Sequence, residues 1–176
     1  MIEGQTVRLR SWREDDLQKL TDLRNNIAIQ SQLLSRVRGS NCEQTRQWLQ
    51  KRSSSPDSLI LVVVDKSLDI PAGYIQFIEI DSIDQRAKLG ICLNYEFQGK
   101  GIGSEVLLLA FKYLYDSFAI RKVILEVRAD NERAVKCYEK IGFKTCGIFH
   151  GHTYIDGRWR DLVLMELFLS TLFDKS

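Results

Sequence analysis

Several things are scarce in this sequence, and each shortage closes a class of function. The opening stretch, MIEGQTVRLRSWREDD, has no apolar h-region, so no secretory leader is expected. The longest apolar run, Leu59 to Val64, is six residues, where a membrane helix needs roughly 20. The expectation is a cytoplasmic chain with no membrane partner. Neither charge dominates: 25 Lys and Arg against 23 Asp and Glu leave a formal +2, too balanced for a nucleic-acid footprint, and no nucleic acid is expected as a partner. Cys42, Cys92, Cys137 and Cys146 include no C-x-x-C pair, and His150 and His152 are not spaced to complete a zinc pattern with them. No metal is expected, and the thiols read as reduced, packed as small hydrophobes. Repeats and linkers are also missing, so residues 1–176 read as one domain, long enough to bury its own core.

What is present is an alternation of helical and strand-like texture. Val7 to Arg10 suits a short strand, and Ser11-Trp12-Arg13-Glu14 has the spacing of a capping box, after which Leu17, Leu20 and Leu23 form an apolar stripe. A polar stretch, Asn25 to Arg38, leads to a second box at Ser40 to Glu43 and a helix to about Arg52. Ser58 to Asp65, Ala72 to Ile80 and Ala87 to Leu93 then predict three strands in an antiparallel meander. Ser104 to Asp116 reads as a helix, Lys122 to Arg128 as a strand, and Asp130 to Gly142 as a second helix closed by its glycine. Phe143 to Phe149 and Leu162 to Phe168 are the last strands, with an Asp156-Gly157 turn between them. The predicted class is α/β with a central, mixed, mostly antiparallel sheet, one strand-helix-strand crossover and about four flanking helices.

The most informative run is Gln98-Gly99-Lys100-Gly101-Ile102-Gly103, placed between a strand and a long helix. Glycines allow close backbone approach, and the following helix aims unpaired N–H groups at whatever lies before it, which suits phosphate. The letters match neither a P-loop nor the G-x-G-x-x-G dinucleotide fingerprint. A Gly-rich turn with no ligand is the alternative. Further along, Asn131, Ala134 and Tyr138 fall on one face of a helix. If that helix and the one after the glycine run follow neighbouring parallel strands, both N-termini open on one edge of the sheet. A buried core tyrosine and a polar helix start would explain Tyr138 and Asn131 equally simply.

Together the two segments resemble the GNAT family of N-acetyltransferases: residues 98–103 are similar to its Q/R-x-x-G-x-G/A signature, and NERAVKCYEKIGF, Asn131 to Phe143, to its second signature. Gly147 and the Asp156-Gly157-Arg158 turn before Asp161 resemble the subgroup of ribosomal-protein N-terminal and amino-sugar acetyltransferases. The resemblance implies a splayed strand pair and acetyl-CoA as co-substrate. It implies that the backbone of Ile91, Cys92 and Leu93 pairs with the pantetheine arm, and that Gln98, Gly99, Lys100, Gly101, Ile102, Gly103 and Ser104 hold the pyrophosphate. Asn131 would bond along the arm, and Tyr138 would protonate the departing thiolate while an amine attacks directly, helped by the Leu93 N–H.

The remaining parts stay open. Glu79, Asp81, His150 and His152 are candidate bases, while Lys88 stands where some of the subgroup carry an acid. Arg24, Asn25, Arg36, Arg38, Tyr154 and Trp159 are expected around the acceptor. Arginine suits phosphate, which favours the amino sugar of a nucleotide sugar, with a protein N-terminus as runner-up and cationic polyamines or aminoglycosides less suited. A non-catalytic acyl-CoA-binding module is the reading from another class. The apolar tail, Leu167 to Phe173, is available for a homodimer contact.

Overall fold

A computed structural model describes residues 1–174 of the chain. Its strands are β1 (Ile2–Glu3), β2 (Val7–Arg10), β3 (Leu59–Asp65), β4 (Ile70–Asp81), β5 (Arg86–Leu93), β6 (Lys122–Arg128), β7 (Lys144–Ile155) and β8 (Arg158–Phe168). They form one eight-stranded sheet in the order β1-β2-β3-β4-β5-β6-β8-β7. The expected meander is β3-β4-β5, and the expected crossover joins β5 to β6, the parallel pair of an otherwise antiparallel sheet.

The helices are α1 (Leu17–Asn25), α2 (Ile27–Gln32), α3 (Cys42–Ser54), α4 (Ile102–Phe118), α5 (Glu132–Ile141) and α6 (Ser170–Phe173). Two short ones exceed the expected four. Within the stretch read as a polar connection, Asn26 accepts the Ile29 N–H at 3.1 Å and starts α2. The two expected capping boxes are also displaced. Asp16, drawn in by Arg10, accepts the Arg13 N–H at 2.8 Å, so the chain enters α1 through a 3-10 turn over Glu14–Asp16. The second box is Asn41 with Gln44, each side chain bonding the other's backbone N–H at 2.9 Å.

Strand alternation sends side chains to two separate cores. Leu61, Val63, Ile75 and Phe77 pack with Val106, Ala110, Phe111 and Leu114 of α4, against which α5 also lies. Ile60, Val62, Val64 and Tyr74 face the other way, onto Leu17, Leu20, Leu23 and Leu49 of α1 and α3. The sheet is thus a partition with α4 and α5 on one side and α1 and α3 on the other. The tail is not a free contact surface: Leu167 and Leu169 are buried, and Leu172 and Phe173 pack on the α4-side core.

The helices on the second side are tied down by polar contacts. Arg10 on β2 makes a two-pronged pair with Asp16, at 2.7 and 2.8 Å, and only 11% and 3% of the two side chains is exposed. Thr21 donates to Thr45 at 2.9 Å, joining α1 to α3. Asn25, expected at the acceptor, instead exchanges two hydrogen bonds with the backbone of Ser40 and fixes the segment before α3. Removing Asp16 leaves a buried guanidinium without its counter-charge, so Asp16→Ala is expected to cost about 3–5 kcal/mol. Urea unfolding measures it, and a loss below about 1 kcal/mol, the range of exposed pairs, would contradict this account of α1.

Candidate active site

The sheet opens where its two halves meet. β5 and β6 pair only through Arg86–Lys88 and Lys122–Ile124, and beyond those residues their registered pairing ends. Antiparallel geometry decides which peptide groups this frees. The Asn94 N–H bonds the Ala72 carbonyl on β4, so, alternating backwards, Cys92 and Gly90 also face β4, while Leu93, Ile91 and Leu89 face away from it. The Lys122 N–H bonding to the Gln85 carbonyl fits the same parity. On β6, Ala129 bonds Asp161 of the β8 side, which turns Glu126 and Arg128 toward the opening. The sequence-based expectation for Ile91-Cys92-Leu93 therefore needs correction: Ile91 offers its N–H and carbonyl and Leu93 its N–H to the opening, whereas the backbone of Cys92 is spent on β4.

This opening is part of a cleft of about 820 Å³ that reaches both sides of the sheet, touching Leu107 and Leu125 on one and Ile29 and Tyr74 on the other. Ile91, Cys92, Leu93, Gln98, Gly103, Asn131 and Tyr138 all line it. α4 begins at Ile102, two residues earlier than expected, with Gly101 as its N-cap. Gly99 and Gly101 lie at φ +77° and +80°, the left-handed region that disfavours a side chain, although an added Cβ at either would meet nothing. Their glycine requirement is conformational. Gly103 is helical and meets no such demand.

The expected anion nest is narrower than six consecutive N–H groups. The Gln98 N–H is used by the Tyr95 carbonyl at 3.1 Å, and its side chain donates to the Leu93 carbonyl at 2.6 Å and accepts from Arg133 at 2.8 Å. Gln98 is therefore a clamp between the end of β5 and α5. Ile102 buries its side chain in the core and Ser104 contacts Cys137 at 3.8 Å, while Gly99 and Lys100 are exposed in the turn. The N-terminus of α4 presents oriented N–H groups and a positive dipole end of the kind that suits an anion. Nearby, the Ser67 hydroxyl and the Leu68 N–H hold the Asp65 carboxyl low, with Lys100 adding the smallest share.

On α5, Asn131 caps the helix, its Oδ1 accepting the Ala134 N–H at 3.3 Å. The Asn131 amide NH2 is left free to donate to a ligand. Gly142 closes the helix at φ +118°. Tyr138 packs its ring edge on Phe143 with centroids 5.6 Å apart. Burial, with a smaller contribution from the Cys137 thiol, pushes its hydroxyl above the ordinary phenol range, so it is held protonated.

The candidate bases are not in this cleft. Glu79 is exposed at a β4 bulge. Asp81 caps the β4–β5 turn by accepting the N–H groups of Ile83 and Asp84, both at 2.9 Å, which holds its carboxyl low. β7 is not a regular alternating strand: its register with β8 slips between Thr145 and Gly147 and between Phe149 and Thr153. His150 there lies 3.1 Å from Asp161, and His152 stacks on Phe149. Tyr154 and Trp159 sit exposed against each other in the same hairpin.

Two cleft residues carried no sequence signal. Glu126 lines the cleft and pairs with Lys88 at 2.7 Å, across the fork of β5 and β6. Gln76 on β4 also lines it, opposite Gly90, with its Oε1 buried and unpartnered. Both are single polar residues inside strand patterns, indistinguishable in sequence from solvated ones. Of the expected acceptor residues, Arg24, Arg36 and Arg38 do line the cleft.

A cleft with free strand edges on both sides, an anion-binding helix end and a protonated phenol fits an acyl thioester on a long amide-bearing arm that ends in phosphates. Residues 6–144 match the family model described as an acetyltransferase (GNAT) domain. The chain belongs to the GNAT family. It is an N-acetyltransferase, and acetyl-CoA is its co-substrate. It is 26% identical to the spermidine N(1)-acetyltransferase of Escherichia coli over 96% of this chain and 89% of that one. It is 32% identical to the E. coli alanine N-acetyltransferase of ribosomal protein uS5, over 45% of this chain and 41% of that one. The solved spermidine N-acetyltransferase of Vibrio cholerae, in complex with CoA and spermine, superposes with a TM-score of 0.88 at 26% identity, covering 95% of this chain and 98% of that one. A dodecameric structure of the Vibrio enzyme matches with a TM-score of 0.84, at 26% identity over 98% and 99% of the two chains.

The side chain of Cys92 turns away from the α4 core, among Tyr74 and Gln30, and burial pushes its thiol up to about 12. It is no nucleophile at neutral pH. Brief iodoacetamide treatment at pH 8 followed by mass spectrometry should modify exposed Cys146 first and Cys92 last. Because the folded thiol binds its proton more tightly than the unfolded one, its stabilising contribution is complete below the ordinary thiol pKa. It is lost as pH rises from there to about 12.

Proposed function

We propose that this GNAT enzyme acetylates the amine of a small molecule by direct attack within a ternary complex. Carrying the proposal is one juxtaposition: the outward-facing peptide groups of Ile91 and Leu93 and the side chain of Tyr138 belong to one cleft. When bound, acetyl-CoA supplies an activated acetyl thioester. The free strand edge would hold the amide-bearing arm by β-like pairing, and the α4 N-terminus would hold its phosphates. The Leu93 N–H faces the opening and would stabilise charge developing on the carbonyl oxygen, its position set by the Gln98 bond to the same residue's carbonyl. Tyr138, kept protonated by burial, would give its proton to the leaving sulfur.

Among the described residues, no side chain of the cleft is free to receive the acceptor's own proton. Glu126 is neutralised by Lys88, and Gln76 can accept a hydrogen bond but not a proton at neutral pH. Loss to water is the route this favours. The spermidine acetyltransferases of Escherichia coli and Vibrio cholerae match over most of their length, which supports a small-molecule amine. They lend no support to the amino sugar favoured from sequence. The protein N-terminus reading rests on a relative aligned over less than half of this chain. Self-association belongs to the same proposal, supported by the dodecameric relative and by exposed Ile148, Phe149 and Trp159 in the β7–β8 hairpin.

Free-thiol release from acetyl-CoA with a panel of amines separates transfer from mere binding: tight CoA binding without release for any amine would favour a non-catalytic module. Tyr138→Phe is expected to lower kcat by about 10²–10⁴ while leaving the affinity for CoA within about twofold. An unchanged kcat would remove Tyr138 from the acid role. In the wild type, kcat/KM should rise with pH up to the acceptor amine's own pKa, since the neutral amine attacks; a plateau near pH 5 would indicate a carboxylate base instead.

A further inference from the structure

The cations of the cleft are unevenly matched. Elsewhere the protein's well-buried arginines have carboxylates: Arg10 has Asp16 and Arg128 has Asp130. Arg24, at the C-terminal end of α1, has none among the described residues. Its Nε is buried without a partner, and one of its NH2 groups donates to the Ser40 hydroxyl at 3.5 Å, the outer limit of a hydrogen bond. The guanidinium carbon lies over the Trp48 ring, 4.2 Å from its centroid, which positions it without neutralising it. Burial without a counter-charge costs it some of its hold on the proton.

Arg36, Arg38 and Arg52 line the same cleft, and its one carboxylate among the described residues, Glu126, already serves Lys88. Phosphates at the α4 N-terminus do not account for this charge. Arg24 sits on Trp48 within the α1–α3 layer, on the far side of the sheet from α4 and α5. That side is the one left for the acceptor once the cofactor arm fills the opening. Gln76, with its unpartnered Oε1, faces the same cleft and suits the amine end of such a molecule as a hydrogen-bond acceptor.

We infer that the acceptor is an amine that also carries a phosphate or carboxylate, and that Arg24 is the residue that binds this anionic group. The inference rests on the acetyl-transfer reading and narrows its substrate class: a polycation would bring like charge to an already cationic wall, at a cost that a bidentate anion would turn into a gain.

The test is thiol release from acetyl-CoA with matched acceptors: glucosamine against glucosamine 6-phosphate, hexylamine against 6-aminohexanoate, and spermidine. The anionic member of at least one pair should have a kcat/KM higher by about tenfold or more, and the pair with the larger gain tells phosphate from carboxylate. Arg24→Gln should abolish that gain mainly through KM, and Arg24→Lys should keep part of it. Equal or better use of the neutral amines or spermidine, or a gain that survives Arg24→Gln, overturns the inference while leaving acetyl transfer intact. Release with none of the amines would overturn both. Independently of turnover, inorganic phosphate titrated calorimetrically into the CoA-saturated protein should bind about tenfold more weakly to Arg24→Gln. Equal binding by the two proteins counts against Arg24 even if acetyl transfer stands.

Discussion

The divergence of β5 from β6 is the constraint around which the rest is arranged. Hydrogen-bonding groups taken out of a sheet inside a protein must find other partners, because leaving them unmet costs about 1–3 kcal/mol each. The protein holds the strands apart anyway. Lys88 and Glu126 bracket the fork beside the last paired residues, and Gln98 takes the Leu93 carbonyl at the open end. Between these two fixed points Ile91 keeps its N–H and carbonyl, and Leu93 its N–H, for a guest. The separation of the strands is thus a built shape rather than slack, and the guest it suits is one with amides of its own.

On the proposed reading, a partition with a hole through it lets two substrates meet without competing for one surface. The α4 and α5 side offers a helix terminus and a phenol, both suited to a thioester with a phosphate tail. The α1 and α3 side offers arginines, an aromatic ring and an amide oxygen. Because alternate residues of β3 and β4 feed separate cores, packing on one side can change while the other is kept. A family can then retain its cofactor half while varying what it acetylates, and the modest whole-chain identity to polyamine enzymes, joined to a cleft with no free acid among the described residues, fits that pattern.

The parts legible in sequence were those with a local physical cause. The meander, the crossover, the Asp156-Gly157 turn and the Gly142 cap follow from alternation and from residues that tolerate positive φ, and each is present. The glycine run and the Asn131 to Tyr138 face were legible for the same reason, and the cleft brings Gln98, Gly103, Asn131 and Tyr138 together. What escaped was anything decided by a partner distant in the chain. Asp16 shifted the start of α1 because Arg10 is beside it, and Asn25 became a brace because Ser40 is. Glu126 and Gln76 became cleft residues only because the strands part. The peptide parity that excludes Cys92 needs the β4 register, which no single strand contains.

β7 ends the sheet, and a twelve-residue strand at a sheet's end would ordinarily be a ready template for a stranger's backbone. Its two slips of register break the regular succession of outward N–H and C=O groups, and the second is pinned by Asp161, which accepts the Gly151 N–H at 2.7 Å and contacts His150. Another strand cannot zip along the whole length of such an edge. The irregularity lets the chain carry exposed aromatic side chains on its last hairpin without inviting runaway polymerisation through the backbone, so copies that meet there must recognise each other by side-chain shape.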